Sequence, residues 1–536
     1  MGVEGFLASE DERAARQLVE QADLILQSVG EDVPPQFASR LFGRAVAEDV
    51  RLYSSHELAA LAGHAFQHIE NRKPGSFDIR VELPAPVEGG DRLKDVTLIE
   101  ILNDDMPFLL DSVMAALNAQ DLTASLVVHP ILGVERDGAG ELQGLAPTDA
   151  PPSTGMRRES LIQIHVPRIE DAARRAALVE QLSEVLTQVR AAVRAWLPMM
   201  TEVRDAVAEL RHSPASVAKD EVDEAIAFLE WLLAGNFTFL GCRNYDISTG
   251  TPDRPTLAGF NRRMDDALGL LADEDVRLFR RPSDPHSVSA DLSDVLGEAS
   301  PLIITKSRTL SQVHRRAWMD VVVVKRYDAE GKIIGGLCIA GLFTVTAYTS
   351  SVRTIPFLRR KTAAVLARAG FAPESHSGRA LVKVLESYPR DDLFQIDAGS
   401  LYQFALAILQ LDEHPRVRVL AWRERFDRFV SVLVFVPRDR YGSDVRIRIG
   451  ELLAKSFGGK VVAFKPLFMD GPLTRVHFTI ERVTEDAPEA GRIELEAGVA
   501  AIIRTWSDAF GGALGLVYPP AQATILRARY GEAFPP

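Results

Sequence analysis

Only two cysteines, Cys242 and Cys338, occur in 536 residues, so no disulfide framework is available and the chain suits a reducing, cytoplasmic compartment. Both sit in apolar strand-like runs, where cysteine serves as a small buried hydrophobe. Positive charge is short as well: Lys and Arg number 61 against 74 Asp and Glu, a formal net charge of −13. That balance excludes nucleic acid as a main partner, because phosphate binding needs a basic footprint. A P-loop is absent. The nearest approach to a dinucleotide fingerprint, "GAGELQG" from Gly138 to Gly144, is followed by Pro147, Pro151 and Pro152, which block a helix. It reads as a hairpin turn, since dinucleotide binding needs its glycines between a strand and a helix. A charge-free run from Ile333 to Val352 is interrupted by glycines and ends in the hydroxyl-rich "TVTAYTSS". Its β-branched residues predict buried strands in preference to a membrane span. The opening "MGVEGFLASEDERAARQL" lacks the apolar stretch of a secretory signal, and Phe6 spoils the myristoylation pattern that Gly2 would begin.

What is present is an ordinary globular balance, 46% hydrophobic and 25% charged, in a chain long enough for about three or four domains. Apolar spacings of three and four predict helices over 10–29 and 35–70, the second stopped by Asn71 to Gly75. "FDIRVEL" and "VTLIEIL" follow as strands, then the helix "PFLLDSVMAALNAQ", a long strand "ASLVVHPILGVERD", "ELQGL", a Pro-rich loop at Pro147 to Pro152, and the strand "SLIQIHV". With an amphipathic helix over about 169–196, this is most of a split βαβ unit. A helical stretch over 201–234 leads to the strands "NFTFLGCRNYDI", "PLIITKS", "MDVVVVKRYD" and "KIIGGLCIAGLFT". "SSVRTIPFLRRKTAAVLARAG" predicts a helix capped by serine and Gly370, and "SGRALVKVLESY" a shorter one. From 392 the first pattern returns: strand "DLFQI", helix "GSLYQFALAILQLD", a hairpin turned at Phe426 to Arg428, a helix, and the strands "KVVAFKPLF" and "RVHFTIERV" around "MDGP". The two βαββ-type units make a structural repeat with little shared sequence.

Several constellations invite chemistry. His64 and His68 stand one helical turn apart, a zinc-pair spacing, yet no third ligand is nearby and no metal is expected. Ser375, His376, Ser377, Asp391 and Asp392 contain the residue types of a nucleophilic triad, but sequence neighbours seldom converge in one; Ser375 or Ser377 is expected as a helix N-cap. Arg353, Arg359, Arg360, Lys361 and Arg368 form the strongest basic cluster, suited to an anion, to acids of another domain, or to a solvated helix face. In "NDDMPFLLDSV", Asp104 or Asp105 is expected as the N-cap of the helix, with Pro107 in its first turn.

The strings "DDMPFLLDSV", "VVHPILGVERD", "MDVVVVKRYD", "SVRTIPFLRRK", "RAGFAPESHSGRAL" and "LESYPRDDLFQI" are similar to the N-terminal half of large bacterial NAD-specific glutamate dehydrogenases, from about residue 35 onward. The resemblance implies a multi-domain α+β fold with two ACT-like βαββαβ units flanking a mixed α/β, PAS-like region. The expected order is a helical segment 1–75, a first ACT-like domain 76–200, a helical linker and PAS-like region 201–390, a second ACT-like domain 391–483, and a helical segment 484–536 that looks truncated. It also implies the regulatory and assembly part of an enzyme that turns L-glutamate and NAD into 2-oxoglutarate and ammonium. The catalytic domain would lie outside this chain, so no catalytic, cofactor-binding or metal-ligating residue is expected here, and NAD belongs to the full-length enzyme. The alternative is a stand-alone ACT/PAS sensor of amino acids. Expected partners are a second copy, the catalytic domain and an amino-acid effector, with neither nucleic acid nor membrane. Amino-acid-binding ACT domains place a glycine after the proline of the junction; here Phe108 stands there, and its ring is expected to fill the approach. Asp104 and Asp105 therefore read as a structural helix start, and Asp397, Gly399 and Ser400 as the better effector junction.

Overall fold

The computed structural model describes residues 10–28, 33–146, 156–214, 216–249, 257–263, 265–274, 276, 278, 300–424, 428–469, 471–483, 490–531 and 533. Most of the Pro-rich loop, the hairpin tip at Phe426 and Asp427, and Asp470 of "MDGP" lie outside the described residues.

The first sheet holds β1 (Asp78–Glu82), β2 (Val96–Asp104), β3 (Leu126–Val128), β4 (Ile131–Arg136), β5 (Leu142–Leu145) and β6 (Arg157–Pro167), in the order β1-β2-β6-β4-β5 with β3 also on β6. Successive side chains of a strand alternate between faces, so β2 feeds two cores. Val96, Leu98 and Leu102 pack under the N-terminal helices, while Ile99 and Ile101 face the helices Leu109–Asn118 and Ala172–Arg194. Both strands β2 and β6 are buried on both faces, which explains their near-continuous apolar runs. The expected long helix over 35–70 is three helices, Phe37–Phe42, Ala47–Val50 and Ser55–Ile69. A Ser54–Glu57 capping box starts the last of these afresh. Likewise "ASLVVHPILGVERD" is two strands, broken at His129-Pro130, because proline has no N–H for the ladder.

His64 and His68 project from the helix Ser55–Ile69 onto the buried Glu100 of β2. His64 Nδ1 lies 2.8 Å from Glu100 Oε2 and its Nε2 3.1 Å from Glu82 Oε2; His68 Nε2 lies 3.0 Å from Asp78 Oδ2. Gln163 Nε2 donates to Glu100 Oε1 at 2.9 Å. Burial would raise the Glu100 pKa, but the two histidines overcome it and hold the group at about 2. The hydrogen bond to Glu100 in turn raises His64. The spacing that suggested zinc serves a carboxylate, and among the described residues no group of three or more His, Cys, Asp or Glu is suited to a metal ion. Because the folded pKa of His64 is raised, its contribution is fully present below the unfolded value of about 6.5 and is lost as pH rises through the folded value. His64→Gln should therefore destabilise the chain more at mildly acidic than at alkaline pH in thermal unfolding. Equal destabilisation at both would contradict the assignment.

The middle sheet contains β7 (Phe237–Thr249), β8 (Leu257–Arg262), β9 (Leu268–Gly269), β10 (Leu302–Leu310), β11 (Trp318–Tyr327) and β12 (Ile333–Phe343), ordered β10-β11-β12-β7-β8 with β9 on β7. Cys242 and Cys338 are buried in it, and burial pushes the Cys242 thiol up to about 12. Only the first half of the charge-free run is strand. "VTAYT" forms a short helix, Val345–Thr349, where Thr349 and Ser350 hydroxyls donate to carbonyls one turn back at 3.1 and 2.7 Å. Among the described residues no helix is long and apolar enough to cross a membrane. The helix after it begins at Leu358 rather than at a serine, because Phe357 adopts a left-handed φ of 64°; Gly370, at φ 67°, ends it as expected.

The last sheet is β13 (Arg418–Arg423), β14 (Phe429–Pro437), β15 (Gly459–Phe468) and β16 (Leu473–Arg482), ordered β13-β14-β16-β15. "DLFQI" is not its first strand: Arg390–Gln395 is a helix, started by Pro389 and carrying Asp391 and Asp392 in its first turn. Acids at a helix start are favoured by its dipole, and here that local preference wins over the apolar run. One face of the sheet packs on the helices Ser443–Ser456 and Arg492–Ile502; Leu420, Leu433 and Phe435 on the other join the core around the helix Ala398–Glu413.

Candidate functional site

The two acids at the first junction are committed to arginines. Asp104 accepts from Arg72 Nη2 at 2.8 Å and Arg190 Nη2 at 3.1 Å; Asp105 accepts from Arg158 Nε at 2.9 Å. Neither caps a helix. The helix starts at Leu109, after Phe108 in a left-handed conformation (φ 72°) that no side chain caps, so Pro107 lies ahead of the first turn. The Phe108 ring packs against the ring of His314 in the middle unit, centroids 5.1 Å apart, and the His314 N–H donates to Ser112 Oγ at 2.8 Å. This junction is a contact between units.

At the second junction Asp397 caps the helix Ala398–Glu413, its Oδ1 accepting the Ser400 N–H at 2.9 Å. A Cβ on Gly399 would come within 3.0 Å of that oxygen, so the glycine is accounted for by the cap. A helix, not a strand, precedes it. The basic cluster is drawn inward. Arg359 forks onto Glu224 at 3.0 and 2.6 Å, Arg360 reaches Asp220 at 2.8 Å, and Lys361 Nζ donates to the Leu393 carbonyl at 2.5 Å. Burial pushes Lys361 down to about 8. Arg368 lies over the Tyr402 ring, and Arg353 is exposed. Ser375 caps the helix His376–Ser387 as expected.

Asp391 and Asp392 go elsewhere, into a cleft of ≈ 290 Å³ bounded by β10, β11, the helices Val345–Thr349 and Arg390–Gln395, and the sheet β13–β16. On its floor Lys306 Nζ lies 2.7 Å from Asp320 Oδ1 and 3.3 Å from Asp391 Oδ1, and Tyr348 O–H donates to Asp391 Oδ1 at 2.7 Å. Burial alone would raise Asp391, but Lys306 and Lys465 outweigh it and hold the group at about 2. Burial raises Asp320, and it raises the Tyr348 hydroxyl too. On a second wall Ser431 Oγ donates to Asp392 Oδ2 at 2.5 Å, with His477 Nε2 2.9 Å from the serine and 3.3 Å from the aspartate. Serine, histidine and aspartate meet here, yet both partners share one ring nitrogen, so Asp392 cannot orient the imidazole from behind as a triad requires. A buried Arg428–Glu424 pair, 2.5 Å apart, closes the cleft and donates from Arg428 Nη2 to Thr305 Oγ1 at 2.8 Å. Sequence reasoning missed Lys306, Ser431 and His477. The one signal for them was a lone lysine inside the apolar strand "PLIITKS".

Two helix-backed antiparallel sheets joined through helices define a protein of paired ACT modules, and comparison with known proteins agrees. Residues 37–182 match the glutamate dehydrogenase ACT1 domain, 355–414 glutamate dehydrogenase helical motif 1, and 418–507 the glutamate dehydrogenase ACT2 domain. The chain is 34% identical over 503 residues to the NAD-specific glutamate dehydrogenase of Halomonas elongata, covering 93% of this chain and 30% of that protein. The Pseudomonas aeruginosa NAD-specific glutamate dehydrogenase is 29% identical over 520 residues, covering 95% and 31%; that of Mycobacterium tuberculosis is 25% identical over 453, covering 81% and 26%. The chain belongs to this glutamate dehydrogenase family, as an N-terminal part of it. It spans 26–31% of the length of these three relatives.

Proposed function

We propose that this chain is the regulatory and assembly part of an NAD-specific glutamate dehydrogenase, working in the cytoplasm with a second copy of itself and a catalytic domain as partners. The enzyme oxidises L-glutamate to 2-oxoglutarate and ammonium, and the proposal places hydride transfer outside residues 1–536. The observation that carries this reading is the succession of ACT1, helical motif and ACT2 matches in one chain. The strand pairing supports it. Every strand pair of the described residues is antiparallel, as in the central β2–β6, β11–β12 and β14–β16 ladders, whereas a dinucleotide crevice is built on parallel strands with a glycine turn. Hydride transfer needs a bound and oriented cofactor. The purified chain with L-glutamate and NAD should therefore produce no reduced cofactor above a no-protein control. Steady turnover by the chain alone would sink the proposal.

A further inference from the structure

The cleft between the middle sheet and the last sheet has a charge arrangement of its own. Its carboxylates are occupied by the protein: Asp391 by Lys306, Asp392 by Ser431, and Glu424 by Arg428. An ammonium group entering it would find Asp391 and Glu424 already paired with cations and Asp392 already hydrogen-bonded, which disfavours a free amino acid. Two cations that line it are differently placed. Arg316, just ahead of β11, and Lys465, on β15, are both exposed, and among the described residues neither makes a close ion pair, Lys465 acting on Asp391 only from farther off. The lining also holds Trp318, Trp422 and Phe464; Phe464 is 43% exposed, with the Arg446 guanidinium over its ring at 3.8 Å from the centroid. Flat aromatic surface left partly open beside exposed cations without a close ion pair is the pattern that takes a ring-bearing anion. The ≈ 290 Å³ volume is at the lower end of small-molecule pockets, enough for one ring system with an anionic group and too small for a dinucleotide.

We propose that this cleft binds a small organic anion with a flat ring, the ring lying against Trp318, Trp422 and Phe464 and its carboxylate or phosphate meeting Arg316 and Lys465. Such a ligand touches the middle unit and the last sheet at once, and so favours the arrangement in which both line the cleft. This deepens the regulatory reading by naming the ligand chemistry, but the test is binding to the chain itself.

The purified chain is titrated with indole-3-acetate and with adenosine monophosphate, and with indole and acetate as half-ligands, by calorimetry and by tryptophan fluorescence. Saturable binding of a ring-bearing anion, weaker for each half, supports the proposal, and the tighter of the two anions identifies the anionic group. Lys465→Glu and Arg316→Glu alter exposed side chains, so folding, checked by circular dichroism, should survive. Each should weaken binding by about tenfold or more, the usual loss of a charged hydrogen bond. The proposal is overturned if neither anion binds saturably, if indole binds as tightly as indole-3-acetate, or if both variants bind like the wild type. None of these outcomes bears on glutamate turnover, so this inference and the assembly reading fail separately.

Discussion

Glu159→Ala should cost the first sheet about 3–5 kcal/mol, the usual loss when one partner of a buried ion pair is removed. Glu159 on β6 is fully buried, and two guanidiniums that are themselves buried depend on it. Arg72 Nη2 donates to Oε1 at 2.6 Å, and Arg136 donates to Oε1 and Oε2 at 2.7 and 2.8 Å. Arg72 keeps Asp104, but Arg136 is left with the carbonyls of Ile69 and Gly140 alone. An uncompensated guanidinium under the N-terminal helices must draw in water or push those helices away. Chemical denaturation followed by far-ultraviolet circular dichroism should show the earliest transition moved to lower denaturant. A shift worth less than about 1 kcal/mol would mean that the arginines are resolvated at little cost, as at a surface pair.

Lys306→Met should cost about as much at neutral pH, and its stability should rise more on acidification than that of the wild type. In the wild type Asp391 is depressed to about 2, so its contribution is present above the unfolded carboxylate value of about 3.8 and is lost as pH falls through the folded value. Removing the ammonium leaves the buried Asp320 and the half-buried Asp391 with like charge and without the cation that bridged them, Lys465 acting only on Asp391. The folded state then favours protonated carboxyls, so acidification from neutral pH should stabilise the variant by more than it stabilises the wild type. Urea unfolding at neutral pH and near pH 5 measures the slope. A variant as stable as the wild type at neutral pH, or one with the same slope, would show that Lys306 is not what holds the two acids.

Much of the fold is written locally. β2, β6, β11 and β12 follow from runs of β-branched and apolar residues, and their burial on both faces agrees with that composition. Ser375, Asp397 and Gly370 end or begin helices for reasons contained within one turn of chain. Strings shared with a family carried the rest of the reading, including the two ACT modules.

The destinations of charged side chains were not legible in that way. Asp104 looked like a helix cap and became the partner of Arg72 and Arg190, which lie 32 and 86 residues away in sequence. "DLFQI" looked like a strand and is a helix. The cleft is assembled from Lys306, Asp391, Ser431 and His477, which no spacing rule connects. Helix caps, alternation and turns act over one turn or one strand, so sequence alone determines them. A buried charge is stable only beside whichever counter-charge the packing of separate elements delivers, and that pairing was decided by the tertiary structure alone.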